Sequence, residues 1–266
     1  MENKKSLFFT SEYEILSIDA DYLGRAHLSA LMNYLQDAAR LHSLREKFSV
    51  FDLARKGLTW VVSRYHLVIE RYPGLGEKIS IKTWASGKHG FYALRDFEVF
   101  DKDRARVIAA TSSWMIIDLV SRRPVRVENL FPDGLILQER ALADDFPTLP
   151  IVEKLDHKTT FRVLFEDLDY NRHVNNVVYS RWAVEGMPRE MLFSGRPREM
   201  EINYRSEAFY GDEVEVITQN PENPGGFWVQ QIYNLASGQE VCRLRSRWVK
   251  YGTEEGEPGW PRGGEK

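Results

Sequence analysis

Over residues 28–47, LSALMNYLQDAARLHSLREK, apolar side chains fall at Leu28, Leu31, Met32, Leu35, Ala38 and Ala39. That spacing predicts one long helix. Four alternating or apolar stretches follow near 59–70, 77–86, 90–100 and 106–119, and each reads as a strand. The turn Asp101-Lys102-Asp103-Arg104 joins the last two as a hairpin. The same order recurs later: a helix over about 174–186, with Val174, Val177, Val178, Trp182 and Ala183 on one side, then strands near 199–208, 212–220, 226–236 and 240–251. Ala236-Ser237-Gly238 makes the matching hairpin turn, and a short strand precedes each helix, near 12–18 and 159–166.

The two stretches also share residues at a nearly constant offset. Gly90-Phe91-Tyr92 matches Gly226-Phe227-Trp228 at 226 − 90 = 136, Gly76-Glu77 matches Gly211-Asp212 at 211 − 76 = 135, and Ser112-Ser113-Trp114 matches Ser246-Arg247-Trp248 at 248 − 114 = 134. Similarity at one offset implies two copies of one unit. Each unit has one helix among five strands, and the helix shows little polar surface in its middle. The expected class is α+β, with a curved antiparallel sheet wrapped around one central helix in each unit and the two units side by side. The expected boundaries are 1–130 and 158–252 for the units, 131–157 for a linker around Pro147-Thr148-Leu149-Pro150, and 253–266 for a Gly- and Pro-rich flexible tail.

Composition narrows the function. The chain has 266 residues, 43% of them apolar, enough for a substantial core. Its 36 Lys and Arg against 39 Asp and Glu give a net charge of −3, unlike the basic balance of a nucleic-acid binder. One cysteine, Cys242, rules out an internal disulfide. The start MENKKSLFF holds too short an apolar run for a signal peptide, and no run approaches the roughly 20 residues that span a bilayer. The expectation is a soluble cytoplasmic protein with no nucleic-acid or membrane partner.

Between the short strand and the helix of the second copy lies DLDYNRHVNN, residues 167–176. Asp169, Asn171 and His173 stand at alternate positions, while Asp167, Asn175 and Asn176 suit turn and cap roles. The corresponding join in the first copy, Asp19 to His27, has no Asn between Asp and His and a longer spacing. A cluster needed only for the turn should occur in both copies, so the asymmetry points to a function in the second. Glu207, at the end of the strand that reads EINYRSEA, is a further candidate.

DLDYNRHVNNVVYSRW at 167–182, followed by INYRSEA at 202–208, resembles the acyl-acyl-carrier-protein thioesterases of plants and bacteria. The likeness covers residues 5–251 and implies two tandem hot dog domains. It places the family's catalytic Asp, Asn, His and Glu on Asp169, Asn171, His173 and Glu207, with no metal and no cofactor. Plant members carry Cys after that Glu; here Ala208 stands there, so a Cys–His mechanism is not expected. The implied reaction is hydrolysis of fatty acyl-acyl carrier protein, by carboxylate-assisted water attack with Glu207 as base, His173 polarising it and Asp169 holding the site in register, or by direct attack of a carboxylate to give an anhydride. The oxyanion would face the free N–H groups at the start of the second helix. The first unit would hold the acyl chain through Leu31, Met32, Leu35, Trp60 and Trp84. The acidic carrier would dock on Arg243, Arg245 and Arg247, which alternate along the last strand, or on Arg189 and Arg198. A coenzyme A thioesterase, a hot dog dehydratase or hydratase, and a non-catalytic acyl-binding protein are the rival readings. The chain is expected as a monomer or a homodimer.

Overall fold

A computed structural model describes residues 7–251. The first half runs β1 (Phe8–Glu14), α1 (Leu28–Arg45), α2 (Val50–Ala54), β2 (Leu58–Ile69), β3 (Lys78–His89), β4 (Tyr92–Phe100), β5 (Arg106–Asp118) and the short β6 (Pro124–Val125). The second runs β7 (His157–Arg162), α3 (Asn176–Glu185), α4 (Arg189–Ser194), β8 (Gly195–Tyr204), β9 (Glu213–Gln219), β10 (Phe227–Asn234) and β11 (Glu240–Lys250). All strands join one antiparallel sheet in the order β1-β3-β4-β5-β2-β8-β11-β10-β9-β7, with β6 beside β5. Read outward from the centre, the halves have the same order of strands. They meet where β2 pairs with β8, Arg64 opposite Asn203 and Val68 opposite Glu199.

The repeat is visible in its hydrogen bonds. Trp114 Nε1 donates to Ser112 Oγ at 2.8 Å, and Trp248 Nε1 to Ser246 Oγ at 3.0 Å. Gly76 and Gly211 both take positive φ, 75° and 84°, which glycine adopts without steric cost. Gly76 N donates to Ile15 O and Gly211 N to Val163 O. The class expected from the sequence, an α+β pair of hot dog units, is the one observed.

The helices α1 and α3 pack on one face of the sheet and touch each other. Leu31, Leu35 and Ala38 of α1 share one continuous core with Val177, Trp182 and Ala183 of α3, so the two halves do not have separate interiors. Each fully buried Leu contributes about 1.5–3 kcal/mol to that core. A smaller cluster gathers Leu53, Ile116 and Phe131 beneath α2. Among the described residues, no helix is long and apolar enough to cross a membrane.

Several expectations shift. The first strand lies at 8–14, not 12–18: FFTSEYE alternates cleanly, while Leu16 and Ile18 are exposed around a 3-10 turn at Ser17–Asp19. The third helix starts at Asn176, and β8 ends at Tyr204, before Glu207. Helices α2 and α4 were not expected; α2 is set by a capping box in which Ser49 and Asp52 exchange hydrogen bonds. The segment after residue 136 is not a loose connection. Leu137 N donates to Ala85 O, Arg140 pairs with buried Asp96 at 3.2 Å, Arg243 Nη1 donates to Leu149 O and Val152 N to Gln231 Oε1. It is thus bonded to strands of both halves. The expected flexible tail at 253–266 lies outside the described residues.

Candidate active site

The loop before α3 is built around one carboxylate. Asp169 Oδ1 accepts from Asn171 N at 2.7 Å and His173 N at 3.4 Å, and Asp169 N donates to His173 O at 2.8 Å. Arg172 turns the chain at φ 63°. The first copy repeats this residue for residue. Asp21 Oδ1 accepts from Leu23 N and Arg25 N at 2.8 and 2.9 Å, Asp21 N donates to Arg25 O, and Gly24 turns the chain at φ 71°. The spacing is therefore equal, not longer, which corrects the sequence comparison. His27 is the counterpart of Asn175, and both occupy the N-cap position of their helices. Leu23 matches Asn171 and Arg25 matches His173. Asp169 thus has a turn-forming duty that Asp21 shares. The two residues that the backbone does not require are Asn171 and His173.

The side chains converge with Glu207, which sits in the loop after β8. That loop is held where Arg205 N and Ser206 N both donate to Val241 O, and Val174 N donates to Ala208 O at 3.0 Å, which ties it to the His173 loop. His173 Nε2 lies 3.5 Å from Glu207 Oε2, and its ring packs edge-on to Phe209. Asn171 Nδ2 faces Asp169 Oδ2 at 3.4 Å. The other Glu207 oxygen accepts from Arg122 Nη2. Arg122 belongs to the first half, on the turn between β5 and β6, and no local pattern in the sequence singles it out.

All five residues line one cavity of about 750 Å³. It extends into the first half past Asn33, Gln36 and Arg40 of α1 to Trp60, Ala85 and Ala93. Of the side chains expected to hold an acyl chain, Trp60 lines it. Leu31, Met32 and Leu35 do not; they are at most 1% exposed on the opposite, core face of α1. Trp84 points away as well, its Nε1 donating to Glu139 O. Apolar periodicity finds the face of a helix that meets the core, and here the cavity meets the other face. Arg95 lines the cavity too, bonded to His42 Nδ1 at 3.0 Å and Thr83 Oγ1 at 3.2 Å; burial pulls its guanidinium down to about 10.

The arginines of β11 are not a free basic face. Arg243 pairs with Glu240 through two nitrogens, Arg245 with Glu201 at 2.6 Å, and Arg247 with Glu199 at 3.8 Å. Arg189 stacks on Phe193 at 5.4 Å, and Arg198 is half-buried. The ligand atoms of His66, Glu199 and Glu201 lie within 4.8 Å of one another, a spacing a cation would accept. They are already engaged, His66 with Asp144 and Glu199, Glu201 with Arg245. Cys242 is fully buried, and burial pushes its thiol up, away from the reactive thiolate.

Comparison with known proteins decides the family. The acyl-ACP thioesterase N-terminal domain matches residues 6–134, and the acyl-ACP thioesterase C-terminal domain matches 152–250. The chain belongs to the acyl-ACP thioesterase family. A palmitoyl-acyl carrier protein thioesterase, chloroplastic, of Gossypium hirsutum is 31% identical over 91% of this chain. The chain spans 64% of that relative's length. Among solved structures, an acyl-ACP thioesterase from Bacteroides thetaiotaomicron superposes with a TM-score of 0.83 at 24% identity, covering 92% of this chain and 99% of the other, a likeness of fold. A 12:0-ACP thioesterase from Umbellularia californica gives 0.81 at 25% identity, covering 92% and 98%. The two matched domains coincide with the two halves of the sheet.

Proposed function

We propose that the chain hydrolyses fatty acyl-acyl carrier protein to free fatty acid and carrier protein. The observation that carries this reading is the Glu207–His173 pair, with Asn171 beside it, on the wall of a cavity long enough to run from one half into the other. The acyl chain enters the cavity, and each methylene removed from water contributes about 0.8 kcal/mol. The thioester carbonyl rests near the start of α3, where Asn176 lines the cavity; the Asn176 N–H and the positive end of the helix stabilise the developing oxyanion, while Val177 N and Val178 N are taken by Asn175. Glu207 takes a proton from water, whose oxygen attacks the carbonyl carbon. His173 holds the Glu207 oxygen that faces it, and Asn171 orients the water. The C–S bond breaks as the tetrahedral intermediate collapses, and the thiolate receives the proton first taken from water. Asp169 keeps Asn171 and His173 in register through the loop it closes.

The carrier is acidic, and the turn that carries Arg122 also exposes Arg123, next to Arg55 and Lys56 across the Leu119 N to Gly57 O bond. These charges give an acidic carrier a complementary surface. The test is release of free thiol from matched acyl-carrier-protein and acyl-coenzyme A substrates. Faster turnover per KM on the carrier substrate supports the proposal. Preference for coenzyme A supports the rival thioesterase, and no release from either leaves an acyl-binding protein.

A further inference from the structure

We infer that Arg122 is a positioning residue, supplied by the first half to the reacting carboxylate of the second. The inference rests on the hydrolase reading above. Glu207 is 39% exposed at the side chain and lies in a loop, so its three side-chain torsions have room to wander. Among the described residues its carboxylate meets two partners. Oε1 accepts from the Arg122 guanidinium, and this leaves Oε2 directed at His173 Nε2, 3.5 Å away. A guanidinium bonded to one oxygen is a charge-assisted anchor that fixes which oxygen faces the histidine.

The anchor itself is held firmly. Arg122 adopts φ 57°, a left-handed conformation that is strained for a non-glycine residue and persists only where surroundings impose it. Those surroundings are visible. Asp118 Oδ1 accepts from Val120 N at 3.1 Å, Ser121 N at 2.7 Å and Ser121 Oγ at 2.9 Å. Arg122 N donates to Asp118 O, and Leu119 N to Gly57 O. The turn is thus tied both to itself and to the start of β2, and it presents Arg122 across 85 residues of sequence. The first half therefore does more than hold the acyl chain.

The experiment compares wild type with Arg122→Gln, Arg122→Lys and Arg122→Ala, on an acyl-carrier-protein substrate and on a small acyl-N-acetylcysteamine thioester. We expect kcat to fall about 10- to 100-fold for Gln and Ala on both substrates, the scale set by small misplacements of reacting groups. KM for the carrier substrate stays within about twofold. Lys recovers part of the loss, and methylguanidinium added to Arg122→Ala recovers part of it too, since the position is open to solvent. Unchanged kcat overturns the inference. So does a loss seen only as a raised KM for the carrier substrate, which assigns Arg122 to docking, or a loss that neither Lys nor methylguanidinium relieves in variants that melt at the wild-type temperature. Wild type inactive on both thioesters would instead refute the hydrolase reading.

Discussion

Asp21 and Asp169 form the same turn in two places, and removing each in turn separates folding from chemistry. Asp169→Ala takes away acceptors of two main-chain N–H groups, at 2.7 and 3.4 Å; Asp21→Ala takes away two at 2.8 and 2.9 Å. Both loops are partly solvated, so water replaces some of what is lost. At roughly 0.5–1.5 kcal/mol per bond, each variant loses about 1–3 kcal/mol. In a chain of this length that lowers Tm by about 2–4 °C per kcal/mol. Asp21→Ala, with the shorter second bond, should be destabilised at least as much as Asp169→Ala. Only Asp169→Ala also frees Asn171 from Asp169 Oδ2 and loosens the loop that aims His173 at Glu207. Its kcat should fall about 100-fold, the effect of a displacement near 1 Å, while Asp21→Ala stays within about threefold. Thermal unfolding and thiol release, the latter assayed well below both melting temperatures, read the two quantities separately. Equal loss of activity in both variants, or full activity in Asp169→Ala, would show that Asp169 has no role beyond the turn that Asp21 also makes.

Cys242→Ala should keep wild-type kcat, and iodoacetamide should leave the rate of thiol release by the native protein unchanged, because the thiol is buried and burial holds it protonated. Ala93 lines the cavity, so Ala93→Phe should shift the preferred acyl chain to shorter lengths, at about fourfold in kcat/KM for each methylene no longer accommodated, whereas Met32→Leu in the core should leave the profile unmoved. Burial alone would push His66 down, but the bond to Asp144 and the charges of Glu201 and Glu199 hold its pKa above the ordinary 6.5. A raised folded value means stability fully present below about pH 6.5 and lost as pH rises through that value. The Tm difference between wild type and His66→Gln should therefore be largest near pH 6 and shrink in alkaline buffer; a constant difference contradicts the assignment.

Much of the architecture is legible in the pattern of the chain. The periodicity of Leu28 to Ala39 marks α1 because its apolar face meets the core, and the repeated Ser-x-Trp marks equivalent positions in β5 and β11 because the hydroxyl caps the indole in both. The same periodicity finds the core face of α1 and not the cavity, which meets Asn33, Gln36 and Arg40 on the polar face. Matching His27 to His173 misjudged the loop. The true equivalents, Gly24 and Arg172, share a left-handed backbone but not a residue type, so the sequence hides the correspondence. The arginines of β11 alternate as a docking face would, yet Glu201 and Glu199 of β8 stand opposite Arg245 and Arg247 through the sheet register, and Glu240 of the same strand takes Arg243. Arg122 was out of reach of any local reading, because its meaning lies in a contact with a loop from the other half.

If Glu207, facing His173 at 3.5 Å, activates water against a thioester held in the cavity, hydrolysis depends on its carboxylate. The rate of thiol release from a long-chain acyl-carrier protein by wild type and Glu207→Gln tests it most directly. Wild type should release thiol steadily, and Glu207→Gln at least about 100-fold more slowly with an unchanged melting temperature. Release by Glu207→Gln at the wild-type rate would contradict it.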